Sequence, residues 1–284
     1  MSVFLAVSFP SFGVSRVALQ LERYLPSDFV ITNDPTSADL TVLHVIGRYH
    51  HNLERAKRIL DAGHQYAVIQ YALQSTRNPD PKAWVEFWSA AKVMWSYYDL
   101  KKYVPGMYHA PLGAMPDVFY HEPDIPKNYL LGTNASGSCY QAACLGESRL
   151  AVFKAGGRML HIGEPFGSDP SVDSHEKVSD DVMRWGYNQC RWFSALRRKD
   201  GFEMTAVEAL LCGTRPIMFD TPNYRQWFDG LAEFIPEGSV GETVRNLTQV
   251  LKNGEKPVSD REIAEIKLKF DWKTIARGFW ERCR

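Results

Sequence analysis

Two carboxylates stand eight positions apart in the stretch Lys199-Asp-Gly-Phe-Glu-Met-Thr-Ala-Val-Glu-Ala-Leu-Leu-Cys-Gly-Thr-Arg-Pro-Ile217. Asp200 lies in a glycine-containing loop, and Glu208 lies within an apolar-periodic run that stops at Gly213. Trp192–Leu196 before the loop reads as a short buried strand, and Arg215–Phe219 after the helix reads as the next. A loop between a strand's carboxyl end and a helix's amino end is where open α/β sheets bind ligands. The free N–H groups of the first helical turn and the helix dipole favour an anionic or hydroxyl-rich ligand there. Glu208, further into the helix, can project back along its face toward the same ligand. The residues also suit an ordinary helix that ends at a glycine, so pattern alone leaves both readings open.

The elements that must position this stretch follow from periodicity and punctuation. Val3–Phe9 is expected as a strand, Pro10–Gly13 as a turn, and Val14–Leu25 as a helix with Val14, Val17, Ala18, Leu21 and Leu25 on one face. Strand, turn and helix at a chain's start open a doubly wound domain. Further strands are expected at Phe29–Ile31, Leu40–Ile46, Tyr66–Tyr71 and Lys92–Ser96, with helices at Asn52–Ala62 and Pro81–Ala91. Gly47-Arg-Tyr-His-His51 forms a cluster at a strand's carboxyl end, suited to lining a cleft or to opening a solvated helix. Pro111, Gly113 and Pro116 mark a domain exit, and Glu122–Lys127 reads as a linker. A second α/β run follows: a strand at Asn128–Gly132, a helix at Cys139–Ala155, a strand at Arg158–Gly163 and an exposed, mobile polar loop over Gly167–Ser179. Tyr224–Phe228 is expected as a short aromatic helix, Phe234–Gly238 as a short strand and Val240–Lys252 as a helix. Trp272, Ile275, Ala276, Phe279 and Trp280 share one helical face, so the tail helix must pack on something.

At 284 residues the chain suffices for two modest domains or one large one. Apolar residues make up 45% and charged residues 23%, ordinary globular values. Thirty-three basic and 33 acidic side chains cancel, which neither suggests a nucleic-acid coat nor excludes a local basic groove. The five cysteines (Cys139, Cys144, Cys190, Cys212, Cys283) form no Cys-x-x-Cys pair and are expected as reduced, buried thiols in a cytoplasmic protein. Met1–Phe9 is too short and lacks the basic flank of a signal peptide, and no apolar run has the length of a membrane span. A metal is not expected: no Asp-x-Asp occurs, and the adjacent His50 and His51 share no face.

The stretch from Asp200 to Ile217 resembles the Glu-Gly-Phe-Gly…Glu-Ala…Cys-Gly-x-Pro-Val-Ile signature of retaining glycosyltransferases of the GT-B fold, in particular the family 4 group. Two further landmarks fall in that family's order. Pro111-Leu-Gly113…Asp117-Val-Phe119 resembles the segment leading into the inter-domain linker, and Phe270-Asp-Trp272 resembles the start of the last helix. The resemblance implies an α/β fold of two Rossmann-like doubly wound domains facing across a cleft, with a C-terminal helix crossing back to the N-terminal domain. On this chain that gives an acceptor-side domain at residues 1–121, a nucleotide-sugar domain at 122–268 and the returning helix at 269–284.

The implied chemistry is transfer of a sugar from a nucleoside diphosphate donor, a UDP- or GDP-sugar, with retention at the anomeric carbon and no requirement for a metal or other cofactor. The acceptor would be a glycan, a small molecule or a modified nucleic acid. Asp200 and Glu203 take the catalytic positions, with Phe202, Met204 and Thr205 lending backbone amides to the sugar and Glu208 holding the ribose. Gly13 lets the backbone approach the diphosphate.

The chain departs from the pattern in four places. Asp200 replaces a glutamate, Glu203 stands where a small residue is usual, and Gln70 and Tyr71 occupy the neighbourhood of a family histidine. The family's Gly-Arg and Lys-Gly cations are also missing from Gly132-Thr-Asn-Ala-Ser-Gly-Ser138. The diphosphate then falls either to the amides and hydroxyls of that loop or to Arg197, Arg198 and Lys199. Transfer to a nucleic-acid base and non-catalytic binding of a sugar nucleotide are the alternatives.

Overall fold

The computed structural model describes residues 1–6, 12–46, 49–72, 81–135, 141–165, 169–198 and 201–284. The chain divides into two units: Met1–Gly113 with Asp271–Arg284, and Ala114–Phe270.

In the first unit, β1 (Ser2–Ala6), β2 (Val30–Ile31), β3 (Leu40–Ile46), β4 (Gln65–Ala72), β5 (Met94–Ser96) and β6 (Tyr108–His109) form one sheet in the order β2-β1-β3-β4-β5-β6. All recorded pairings are parallel. β3 is buried at every position but its last, as a strand covered on both faces must be, which explains why its sequence is mostly apolar rather than alternating, with Thr41 and His44 the polar exceptions. α1 (Phe12–Arg23), α2 (Tyr49–Asp61) and α3 (Val85–Ser89, after a 3-10 turn at Pro81–Trp84) connect the strands. The strand order reverses between β1 and β3, so the ligand-binding crevice of such a sheet lies at their carboxyl ends.

The second unit repeats the plan with β7 (Tyr129–Asn134), β8 (Met159–Ile162), β9 (Val172–His175), β10 (Cys190–Ser194), β11 (Arg215–Phe219) and β12 (Glu233–Ile235). Its order is β12-β11-β10-β7-β8-β9, again parallel throughout. The reversal falls between β7 and β10. The helices are α4 (Leu145–Ala155), α5 (Asp180–Asn188), α6 (Met204–Leu211), α7 (Pro222–Phe228), α8 (Val240–Lys252) and α9 (Asp260–Lys269). α8 and α9 each start with a capping box, Ser239 with Glu242 and Ser259 with Glu262. α6 ends before Gly213, whose φ of +76° suits glycine and whose missing Cβ makes room for the His121 ring.

The last helix, α10 (Trp272–Cys283), belongs to the first unit. Asp271 caps it, accepting from the backbone N–H groups of Lys273 and Thr274. Trp272 lies edge-on to Trp95 over Gly113, where any Cβ would strike the indole. Trp280 packs on Phe29, and its Nε1 donates to the Leu21 carbonyl at 3.1 Å. Both indoles are buried, so replacing either with alanine would cost about 3–5 kcal/mol.

Several expectations need correction. Gly13 is not in a turn but in the first turn of α1. The helix expected over 139–155 starts at Leu145, because Cys144 adopts a left-handed backbone (φ +50°) and packs into the core. The stretch taken as an exposed polar loop contains β9, an edge strand entered through Asp169, whose carboxylate accepts from the Ser171 backbone and hydroxyl. The Glu122–Lys127 segment lies inside the second unit, fastened to α5 by Glu122–Arg184 and Asn188.

Candidate functional site

The reversal between β7 and β10 brings two loops together, and the loop after β10 carries most of the residues singled out above. Asn223 at the start of α7 donates to the Gly201 carbonyl at 2.9 Å. Phe202 turns inward onto Phe228 and Phe270. These contacts fix the backbone that leads into α6. Glu203 occupies the N-cap position, but its side chain makes no capping bond. Polar first-turn groups are therefore left uncovered by any side-chain cap. The Met204 amide donates to the Phe202 carbonyl at 3.2 Å, while the buried Thr205 hydroxyl has no partner among the described residues.

Glu203 turns instead to Arg197, with its carboxylate 3.3 Å from Nε. Arg197 also donates from Nη1 to the Leu196 carbonyl (3.0 Å) and from Nη2 to the carbonyl of Asn134, the last residue of β7 (2.8 Å). One guanidinium thus ties the ends of both central strands to the cap of α6. Burial pushes the Glu203 carboxyl above its ordinary value, and Arg197 pulls it partly back.

Arg198 points elsewhere. Its guanidinium engages Glu147 of α4 at 2.9 Å, the Gly238 carbonyl and the Thr243 hydroxyl of α8. The interaction with Glu147 holds its pKa above the ordinary value. Glu208 is buried, and its Oε2 accepts from the Tyr187 hydroxyl of α5 at 3.0 Å. Lys199 and Asp200 lie outside the described residues. Of the expected set, the structure therefore joins Arg197, Glu203 and the Phe202–Thr205 backbone, and it directs Arg198 and Glu208 into packing between helices. The Asn134 carbonyl and Asn223, which hold the arginine and the loop, have no sequence signal of their own.

Beside the reversal in the first unit, on β3 and β4, two described polar side chains form an uncharged pair. His44 of β3 is buried, with Nδ1 2.7 Å from the Tyr71 hydroxyl and the two rings stacked. Burial pushes His44 down to about 3 and Tyr71 well up. Tyr97 in turn donates its hydroxyl to the Tyr71 carbonyl. No described residue beyond its chain neighbours lies within 4 Å of where a Cβ on Gly13 would stand. His50 and His51 sit exposed at the start of α2, while Gly47 and Arg48 lie outside the described residues.

Burial raises Cys144, Cys190 and Cys283 to about 12 and Cys212 further, so these thiols are not nucleophiles near neutral pH. Among the described residues no group of three His, Cys, Asp or Glu side chains could hold a metal ion. No described helix is long and apolar enough to cross a membrane.

No protein-family model matches the chain, and no curated protein matches it by sequence. Solved structures do match over nearly the whole length, and they share its fold. HepE from Anabaena, in complex with UDP and glucose, aligns with a TM-score of 0.73 at 11% identity, covering 99% of this chain and 98% of its own. Sucrose-phosphate synthase from Thermosynechococcus elongatus aligns with a TM-score of 0.72 at 11% identity, covering 99% and 97%. The lipopolysaccharide outer core galactosyltransferase WaaB aligns with a TM-score of 0.63 at 14% identity, covering 100% and 99%. The chain therefore has the two-domain α/β GT-B fold of these glycosyltransferases.

Proposed function

We propose that the chain is a glycosyltransferase that moves a sugar from a nucleoside diphosphate sugar to an acceptor hydroxyl with retention of anomeric configuration. The observation that carries this reading is the meeting, at the reversal point of a parallel sheet, of the Arg197 guanidinium held on the end of β7 and the start of α6, which no side chain caps and whose lead-in backbone is held at Gly201 by Asn223. Such a place suits a diphosphate, and UDP with glucose is the pair bound to HepE.

The donor's anomeric carbon–oxygen bond breaks toward the phosphate, and the acceptor oxygen bonds to the same face of that carbon. The acceptor's proton passes to the departing phosphate oxygen. Charge develops on the diphosphate, so preorganised N–H groups and the guanidinium do most of the stabilising. Asp200 and the loop amides hold the sugar hydroxyls. No protein nucleophile is needed, and no metal is assigned. We reassign Glu208 from ribose contact to support of α6, because its carboxylate is already buried against Tyr187.

The test is incubation with UDP-, GDP-, ADP- and dTDP-sugars, following nucleoside diphosphate release and the anomeric proton of the product by NMR. Release from one donor with an unchanged anomeric configuration is expected. No release from any donor would overturn the proposal, and an inverted product would overturn retention.

A further inference from the structure

The loop after β7 carries no cation from Gly132 to Ser138, yet a cation stands at the end of β7. It comes from the neighbouring strand. Arg197 leaves the end of β10, crosses to the last carbonyl of β7 and is held there at 2.8 Å. A guanidinium has five N–H groups. Leu196, Asn134 and Glu203 occupy three of them, leaving two without a partner among the described residues. The side chain is 16% exposed, so a ligand can reach it. A guanidinium held at both Nη atoms, with two N–H groups that no described residue takes, suits a phosphate.

Glu203 complicates this in a chemically definite way. While its carboxylate is ionised, the pair is neutral overall and attracts an anion weakly. A diphosphate brought against Arg197 adds like charge beside the carboxylate, which favours its protonated form. Among the described residues, the charged group set against Glu203 is Arg197 from the loop after β10. The groups packed on the loop from α7 and the end of α9 are Asn223, Phe228 and Phe270, all uncharged.

We propose that Arg197 is the diphosphate-binding cation of the second unit, and that Glu203 is its positioning residue, taking up a proton when the diphosphate binds. Glu203 is then not a sugar ligand. Its ion pair stores the guanidinium at the right place in the empty site, and protonation turns a neutral pair into a net cation. The direction follows from linkage: the bound state holds more protons than the free state, so affinity rises as pH falls. This rests on the donor-site reading above.

The experiment is calorimetry of the full chain with UDP-glucose and GDP-mannose in buffers of different ionisation enthalpy, with uridine and guanosine as phosphate-free controls. Nucleotide sugars are suitable probes because their phosphates do not titrate near neutral pH. The expected result is uptake of up to about one proton with the sugar nucleotide and none with the nucleoside. Arg197→Gln should weaken sugar-nucleotide binding about tenfold or more while nucleoside binding stays. Glu203→Gln should abolish proton uptake and flatten the pH dependence, with binding retained.

Unchanged sugar-nucleotide affinity in Arg197→Gln would overturn the cation assignment. Binding without proton uptake in the unaltered chain would overturn the role of Glu203. Failure of every sugar nucleotide and nucleoside to bind would instead overturn the donor-site reading itself.

Discussion

The two units share an architecture and differ in the polar groups that their described residues set near the ends of the central strands. Each is a parallel sheet with helices between its strands, and each reverses its strand order once. At the end of β7 and β10, its reversal point, the second unit sets an arginine, a glutamate and a helix start. Beside its own reversal, on β3 and β4, the first unit sets a neutral histidine on a tyrosine. Among the described residues the one pair is thus charged and the other uncharged. A buried His44 that stays neutral well below its ordinary range offers hydrogen bonding but no attraction for phosphate. The comparison teaches that the fold supplies the place and a few side chains decide the ligand.

The strongest way to break this contrast uses two adjacent arginines. Arg198→Ala would leave Glu147, 7% exposed, without its partner. Removing one member of a buried pair costs about 3–5 kcal/mol, but 28% exposure of the Arg198 side chain lowers the expectation to about 2–3 kcal/mol. Urea unfolding would read that loss, with sugar-nucleotide affinity of the folded protein unchanged. Arg197→Gln should show the opposite pattern, lost affinity with little lost stability. A similar outcome for both would erase the distinction drawn between them.

Acid sharpens the first unit's side of the comparison. Folded His44 resists protonation down to about 3, while an ordinary imidazole in the unfolded chain titrates near 6.5. The unfolded state therefore binds more protons, and stability falls as pH drops below about 6.5. The His44 contribution is about 2 kcal/mol between roughly pH 6.5 and 4.5, from about 1.4 kcal/mol per pH unit. Denaturation at stepped pH should show a shallower decline in His44→Gln, and an identical slope would contradict the assignment.

Two smaller effects complete the series. Glu208→Gln should cost about 1–2 kcal/mol through its bond to Tyr187 and leave uridine affinity unchanged, whereas a selective loss of nucleoside binding would restore Glu208 to the ribose. Arg225→Ala, at the surface ion pairs with Asp220 and Asp229, should leave both the melting temperature and sugar-nucleotide affinity unmoved.

Much of the fold was legible where one physical signal dominated. β3 and α8 run over the expected residues, Leu40–Ile46 and Val240–Lys252: a strand buried on both faces is mostly apolar, and α8 is a long helix that opens on a capping box. β9 was not legible: Val-Asp-Ser-His at a sheet edge is half-buried throughout and shows no apolar alternation. α5 and α9 went unforeseen because their buried faces are narrow, although Ser179 and Ser259 with the acidic residues after them are helix-start signals that could have found both. At the site, the spacing from Asp200 to Glu208 was visible, as was a basic triplet. Which arginine of the triplet faces the site was not, since Arg197 and Arg198 are neighbours whose directions depend on the loop's turn after β10. The pairing of Arg197 with Glu203 likewise exists only once that loop folds back.

The central claim is that the second unit's reversal point holds a nucleotide sugar, and calorimetric titration of the chain with UDP-glucose and GDP-mannose tests it most directly. The account predicts saturable binding of one of them that is weakened in Arg197→Gln and unaffected in His44→Gln. Binding lost in His44→Gln and kept in Arg197→Gln, or no binding of either sugar nucleotide, would contradict it.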